Sequence, residues 1–107
     1  MNLPSDRFQG VLAAALTPLN KDLSPNISLM ADHCNWLMKN GCDGLAILGT
    51  TGEANSFSVD ERISIIEGLV EMGVSGEKLL PGTGSCSIPD TVKLTNVALN
   101  AGARGVL

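Results

Sequence analysis

Residues 44–53 read Gly-Leu-Ala-Ile-Leu-Gly-Thr-Thr-Gly-Glu, and this stretch decides the fold. Its first half is a short, continuous apolar run, which is typical of a strand covered on both faces in a parallel sheet. In its second half, the glycines Gly49 and Gly52 bracket two threonines, Thr50 and Thr51. A glycine-rich polar turn directly after a buried strand predicts the strand-to-helix connection of an α/β protein.

Three further apolar segments resemble the first half of this stretch. They are residues 10–16, 78–82 and 105–107, and none of them alternates apolar with polar residues. With residues 44–48 they predict four strands of a parallel sheet. Pro81 must lie at the C-terminal end of the third strand, because proline cannot donate a ladder hydrogen bond.

Helical patterns fill the three intervals between these strands. The first covers residues 27–40, and the third covers residues 89–101. The second covers residues 59–72 and opens with a capping-box pattern, in which the Ser58 side chain and the Glu61 carboxylate each accept a backbone N–H. Its apolar face is predicted to contain Val59, Ile63, Ile66 and Val70. The resulting order β-α-β-α-β-α-β predicts a parallel α/β protein.

The spacing of the strands predicts which parallel fold this is. Strands begin near residues 10, 44, 78 and 105, so one βα unit takes roughly 30 residues, close to one eighth of the ~250 residues of a (β/α)8 TIM barrel. A bare edge strand is a poor place to end a domain. We therefore expect residues 1–107 to be one partial barrel domain, an N-terminal portion of about three and a half βα units that is truncated in the fourth strand.

Composition excludes several classes of function. Seven basic residues against 11 acidic ones give a net charge of −4, which argues against nucleic-acid binding. The longest apolar run, Val11 to Leu16, is far shorter than the ~20 residues that cross a bilayer, and no signal peptide is recognisable, so we expect no membrane partner and a cytoplasmic location. Cys34, Cys42 and Cys86 lack metal-ligand spacing and are expected to be reduced, and His33 is expected in the core or an interface.

Polar segments follow three of the predicted strands, where ligands of parallel α/β folds collect. They are residues 17–19, 49–53 and 82–85. In the second, threonine hydroxyls and exposed amides make a small anion cradle suited to a carboxylate. An ordinary glycine-rich turn without a ligand is the other interpretation. Phosphate-loop and dinucleotide patterns are absent, because the required lysine and third glycine are missing.

From about Phe8 to Leu107 the chain resembles the N-terminal part of the dihydrodipicolinate synthase / N-acetylneuraminate lyase family. The resemblance is carried by Thr17-Pro18 and by residues 49–53, 82–84 and 101–107. It implies a (β/α)8 barrel that assembles as a homotetramer. The implied activity is that of a lyase that condenses or cleaves aldol-type bonds, of which lysine biosynthesis is one setting. A lysine of the enzyme forms a Schiff base with pyruvate or a related 2-oxo acid, and no cofactor or metal takes part.

The resemblance also implies residue roles in the turn. The carboxylate of the bound 2-oxo acid is expected to lie in residues 49–53, where Thr51 contacts it through its hydroxyl and N–H. The Thr50 backbone assists, and Gly49 and Gly52 shape the turn. The Thr50 hydroxyl is expected to take part in a proton relay with two tyrosines.

Some of the family's functional residues have no counterpart here. The chain has no tyrosine, and the family lysine belongs to a sixth strand that lies beyond residue 107. Lys21 is the one lysine on the predicted functional face, and nothing nearby would desolvate it. We therefore expect the 107-residue chain alone to be inactive. Cys86 stands where lysine-inhibited members carry asparagine, which argues against lysine feedback.

Two other functions stay open at this point. The chain could be a non-catalytic α/β remnant, or an anion-binding module in which Thr50 and Thr51 hold a ligand without chemistry. It could also come from a sugar-acid aldolase or dehydratase of the same family.

Overall fold

A computed structural model of the protein describes residues 8–107. In order along the chain, the strands and helices are β1 (Leu12–Ala14), α1 (Ile27–Lys39), β2 (Gly44–Ala46), α2 (Val59–Glu71) and α3 (Ile88–Asn100), with single 3-10 turns at Ala54–Ser56 and Gly76–Lys78. Strands and helices alternate from β1 to α2, as the sequence predicts, and α3 follows α2 without a regular strand between them.

The sheet begins with a parallel pair. β1 and β2 run side by side, with Leu12 opposite Gly44. A third extended segment, residues 79–83, lies on the other side of β2. There Leu79 forms a parallel bridge with Leu45, and the Gly82 N–H donates to the Ile47 carbonyl at 2.8 Å. The order along the sheet is therefore the order along the chain.

A fourth extended segment, residues 105–107, lies beside the third. The Leu107 N–H donates to the Pro81 carbonyl at 2.9 Å, and the Thr83 N–H donates to the Leu107 carbonyl at 3.0 Å. Four neighbouring parallel segments, each joined to the next through a helix, form the arrangement of a (β/α)8 barrel wall.

The regular strands are shorter than the sequence predicts. Only three residues of each of the first two predicted strands have strand geometry, and the third and fourth have none. The prediction that the third strand begins at Lys78 is wrong, because residues 76–78 form a 3-10 turn. Pro81 faces the fourth segment, where its carbonyl accepts the Leu107 N–H, and because proline has no N–H to donate in return, the pairing of these two segments is incomplete.

Local chemistry sets the beginning of α2 as predicted. The Ser58 hydroxyl accepts the Glu61 N–H at 3.1 Å, and the Glu61 carboxylate accepts the Ser58 N–H at 3.1 Å, which completes the capping box. The face that α2 buries differs from the predicted one, because it consists of Arg62, Ile65, Ile66 and Leu69.

The hydrophobic core lies between the sheet and the helices. Its fully buried side chains include Met30, Cys34, Leu45, Ile47, Ile65, Ile66 and Leu69. All three cysteines are free thiols, as expected. Burial raises the pKa of the Cys34 thiol to about 11. Within residues 8–107, no helix is long and apolar enough to span a bilayer.

Candidate functional site

The turn at residues 49–52 follows β2 and lies between two residues with unusual backbones. Leu48 has a φ of 55° and Glu53 a φ of 57°, and both values fall in the left-handed region. Leucine and glutamate rarely adopt this conformation, which costs free energy that the surrounding structure must offset. Leu48 is fully buried, so its conformation is held by packing. The turn therefore has a fixed shape before any ligand arrives.

Hydrogen bonds within the turn use its carbonyls and leave its amides unpaired. The Glu53 N–H donates to the Thr50 carbonyl at 3.0 Å, and the Ala54 N–H donates to the Gly49 carbonyl at 3.2 Å. Within residues 8–107, the four amides of residues 49–52 have no acceptor, nor do the hydroxyls of Thr50 and Thr51. Both threonines are exposed. A cluster of unpaired donors on a fixed turn suits an anion.

Thr17 anchors this turn to the end of the first strand. Its hydroxyl donates to the Gly52 carbonyl at 2.8 Å, and both residues are buried. Gly52 also has to be glycine, because a Cβ there would lie 2.9 Å from the Leu48 nitrogen and 3.0 Å from the Ala15 oxygen. The sequence places Thr17 at a strand end, and the structure adds its role as an anchor.

The loop after the third segment lies against the other side of the turn. A Cβ on Gly82 would overlap the Leu48 carbonyl, so the two backbones approach as closely as glycine allows. Thr83 is buried, and its hydroxyl accepts the Thr95 hydroxyl of α3 at 3.1 Å. Residues 82–84 and the turn therefore form one edge of the sheet.

A pocket of about 440 Å³ opens between these segments. Gly49, Thr50 and Arg62 are among its lining residues, together with Leu48, Glu53, Ala54, Asn55, Ser56, Gly82, Gly84 and Leu107. Its volume suits a small-molecule ligand. Of the four residues predicted for the site, Gly49 and Thr50 line this pocket. Thr51 lies outside the lining with its side chain exposed, and Gly52 supports the turn from a buried position.

Arg62 of α2 is a site residue that the sequence analysis missed. It is 5% exposed, and its Nη1 donates to the Gly84 carbonyl at 2.9 Å. Its Nε is buried without an acceptor in the described part of the chain. Burial lowers the pKa of the guanidinium. One signal was available: position 62 lies three, four and seven residues before Ile65, Ile66 and Leu69, and so shares the buried face of the helix.

Two other side chains considered from the sequence lie elsewhere. Lys21 is exposed and does not line this pocket. His33 is half-buried on α1, its ring stacks on Trp36 with 6.3 Å between centroids, and it lines a separate cavity of about 460 Å³ with Thr17. No group of three metal-ligating side chains occurs among residues 8–107.

Known proteins resemble this chain in sequence and in structure. The model of the dihydrodipicolinate synthetase family matches residues 7–107. The chain is 36% identical to a 4-hydroxy-tetrahydrodipicolinate synthase of Neisseria meningitidis serogroup C over 96 residues, which cover 90% of this chain and 33% of that protein. Dihydrodipicolinate synthase from Agrobacterium tumefaciens C58 superimposes with a TM-score of 0.87 at 36% identity, covering 92% of this chain and 34% of that one.

A third similar protein was solved with a ligand. YagE, a prophage protein of the dihydrodipicolinic acid synthase family from E. coli K12, was solved in complex with pyruvate. It superimposes with a TM-score of 0.81 at 30% identity, covering 92% of this chain and 33% of that one. The chain thus spans about a third of the length of the curated relatives it matches. The expected N-terminal portion of a (β/α)8 barrel is confirmed, and the chain belongs to the dihydrodipicolinate synthetase family.

Proposed function

We propose that this chain supplies the carboxylate-binding turn of a lyase or synthase that acts on pyruvate or a related 2-oxo acid through a Schiff base. The observation that carries the proposal is the turn at residues 49–52, whose four amides have no acceptor within residues 8–107. Membership of the dihydrodipicolinate synthetase family supports the reaction class, and the pyruvate complex of YagE supports the ligand class.

The turn offers two kinds of donor to a carboxylate. The amides of residues 49–52 are fixed by Leu48 and Glu53 on either side, so binding requires little reordering of the backbone. The exposed Thr51 hydroxyl adds a donor that can rotate towards a carboxylate oxygen. Holding the carboxylate here orients the neighbouring 2-oxo carbon, and orientation of a reacting carbon is a main source of rate enhancement.

Thr50 suits the second role that the family resemblance implies. Thr50 lines the pocket, and its hydroxyl makes no hydrogen bond within residues 8–107. A hydroxyl both donates and accepts, so it can pass a proton between neighbouring groups. The proton relay with two tyrosines remains part of the proposal, since the chain itself has no tyrosine.

We do not assign the Schiff-base lysine to this chain. Lys21, Lys39, Lys78 and Lys93 are all exposed, whereas a lysine nucleophile is usually activated by desolvation or by a neighbouring cation. Lys78 also precedes the third segment, at the opposite end from the pocket. The 107 residues are therefore proposed to bind the carboxylate without forming the covalent bond. Homotetramer assembly and a cytoplasmic location stay predictions.

Two measurements on the 107-residue chain test the proposal. In the first, the chain is incubated with pyruvate and borohydride, which would reduce any imine to a stable secondary amine, and is then weighed by mass spectrometry. We expect unmodified chain, and a lysine carrying the reduced pyruvate group would contradict the proposed absence of the nucleophile.

In the second, pyruvate affinity is measured by calorimetry for three chains. We expect Thr51→Val to weaken binding about tenfold, the value of one hydrogen bond to a charged group at an exposed site. Thr91→Val is the matched control, because Thr91 lies in the first turn of α3 and does not line the pocket. Equal affinities in all three chains would refute the assigned role of the turn.

A further inference from the structure

Arg62 is a buried charge without a paired carboxylate among residues 8–107. It lies on the buried face of α2 with Ile65 and Ile66. The one hydrogen bond of its side chain within residues 8–107 is to the Gly84 carbonyl, its Nε–H has no acceptor there, and no carboxylate pairs with it. Burying a guanidinium without a counter-charge costs free energy, and an apolar side chain of similar length would avoid that cost.

Arg62 belongs to the pocket at the turn that we assign to the carboxylate. Arg62 lines the same pocket as Gly49 and Thr50, and its bond to the Gly84 carbonyl fixes it between the turn and the neighbouring loop. Glu53 also lines this pocket, but its side chain is exposed, so water and salt screen its charge. A buried charge is screened far less, so we expect Arg62 to contribute more than Glu53 to the potential at the turn.

We propose that Arg62 determines the charge preference of the site, so that the pocket accepts a carboxylate and discriminates against a neutral ligand of the same shape. The inference rests on the proposed function, because it takes the ligand to be a 2-oxo acid held by the turn. Arg62 acts through its positive charge, and the hydrogen bond to Gly84 holds that charge in place.

The test compares pyruvate with pyruvamide, a neutral molecule of nearly the same shape. The ratio of the two dissociation constants is measured for the unaltered chain and for Arg62→Lys, Arg62→Gln and Arg62→Met. We expect Arg62→Lys to keep the preference for pyruvate. Arg62→Gln and Arg62→Met are expected to reduce it about five- to tenfold, because each removes the attraction between the guanidinium and the carboxylate.

A control and a stability measurement separate this role from a structural one. Arg104→Met removes the same charge from a residue that does not line the pocket. Arg104 is ion-paired with Glu77, which lies in the 3-10 turn before the third segment. This variant should leave the ratio of the two dissociation constants unchanged. Arg62→Met is expected to unfold at the same temperature as the unaltered chain or higher, because it removes an unpaired buried charge. Arg62→Gln, which keeps a donor for the Gly84 carbonyl, answers the same question if Arg62→Met does not fold.

Each outcome decides between the two proposals. If the unaltered chain binds pyruvate and Thr51→Val weakens binding, but Arg62→Gln and Arg62→Met keep the full preference, the role of Arg62 is wrong and the proposed function stands. The role of Arg62 is also wrong if Arg62→Lys loses the preference as fully as Arg62→Gln does. If the unaltered chain binds no pyruvate, both proposals fall.

Discussion

Replacing Thr17 by valine would remove the anchor of the turn without creating a cavity. Valine has nearly the shape of threonine, so the change deletes only the hydroxyl that donates to the Gly52 carbonyl at 2.8 Å. Because both groups are buried, the carbonyl would lose its partner without gaining water. Such a loss lowers the free energy of unfolding by about 1–2 kcal/mol. In a chain of this size, each kcal/mol lost lowers the unfolding temperature by about 4–8 °C.

Thermal unfolding followed by circular dichroism measures that loss, and calorimetry with pyruvate measures its effect on the turn. We expect Thr17→Val to lower pyruvate affinity severalfold, because Gly52 is then free to move. Thr17→Ser is the control: it loses a buried methyl group, at a cost of about 1 kcal/mol, but keeps the hydroxyl and should keep the affinity. Unchanged stability in Thr17→Val, or equal loss of affinity in both variants, would refute this reasoning.

Three further predictions concern stability. Gly82→Ala is expected to lower the free energy of unfolding by at least about 2 kcal/mol, because its Cβ would overlap the Leu48 carbonyl. A Cβ at Gly84 would meet open space, so Gly84→Ala should lower it by less than about 0.5 kcal/mol. Equal midpoints of urea unfolding for the two variants would contradict this prediction. Ser58→Ala is expected to lower the free energy of unfolding by about 1 kcal/mol, because the cap of α2 is lost, whereas Ser58→Gly should lower it by only a few tenths of a kcal/mol. Thermal unfolding measures both losses, and equal losses would contradict the prediction. Burial raises the pKa of the Cys34 thiol from 9.0 to about 11. The free energy of unfolding should therefore be constant below about pH 9 and fall by roughly 2–3 kcal/mol as the pH rises through about 11, because the unfolded chain loses the thiol proton first. Cys34→Ala should lack this decline in urea titrations, and parallel declines would contradict the prediction.

Features with a local cause could be predicted from the sequence. The capping box at Ser58 and Glu61 depends on four consecutive residues, and the structure contains it. Gly49 and Thr50 could be placed at the C-terminal edge of the sheet because a glycine-rich turn follows a buried strand, and both line the pocket there, while their binding of a ligand stays a prediction. The regular strands are shorter than predicted, because pairing depends on which segments become neighbours, and because Pro81 has no N–H to donate to the fourth segment.

Features that depend on distant contacts could not be predicted. Thr17 and Gly52 are 35 residues apart, and no pattern along the chain joins a hydroxyl to one particular carbonyl at that separation. Arg62 could not be predicted as a buried residue of the pocket, because a single arginine in a helix is usually exposed at the surface. Its burial follows from the packing of α2 against the loop at Gly84, which only the folded structure shows.

The most direct test of the central claim is a titration of the nitrogen-15-labelled chain with pyruvate, followed by amide NMR. The account predicts that the amides of residues 49–52 shift together and saturate with one affinity, and that pyruvamide shifts them much less. The amide signal of Gly73, a residue that follows α2 and does not line the pocket, should not shift with either ligand. Unshifted amides at residues 49–52, or equal shifts with both ligands, would contradict the claim that this turn binds a carboxylate.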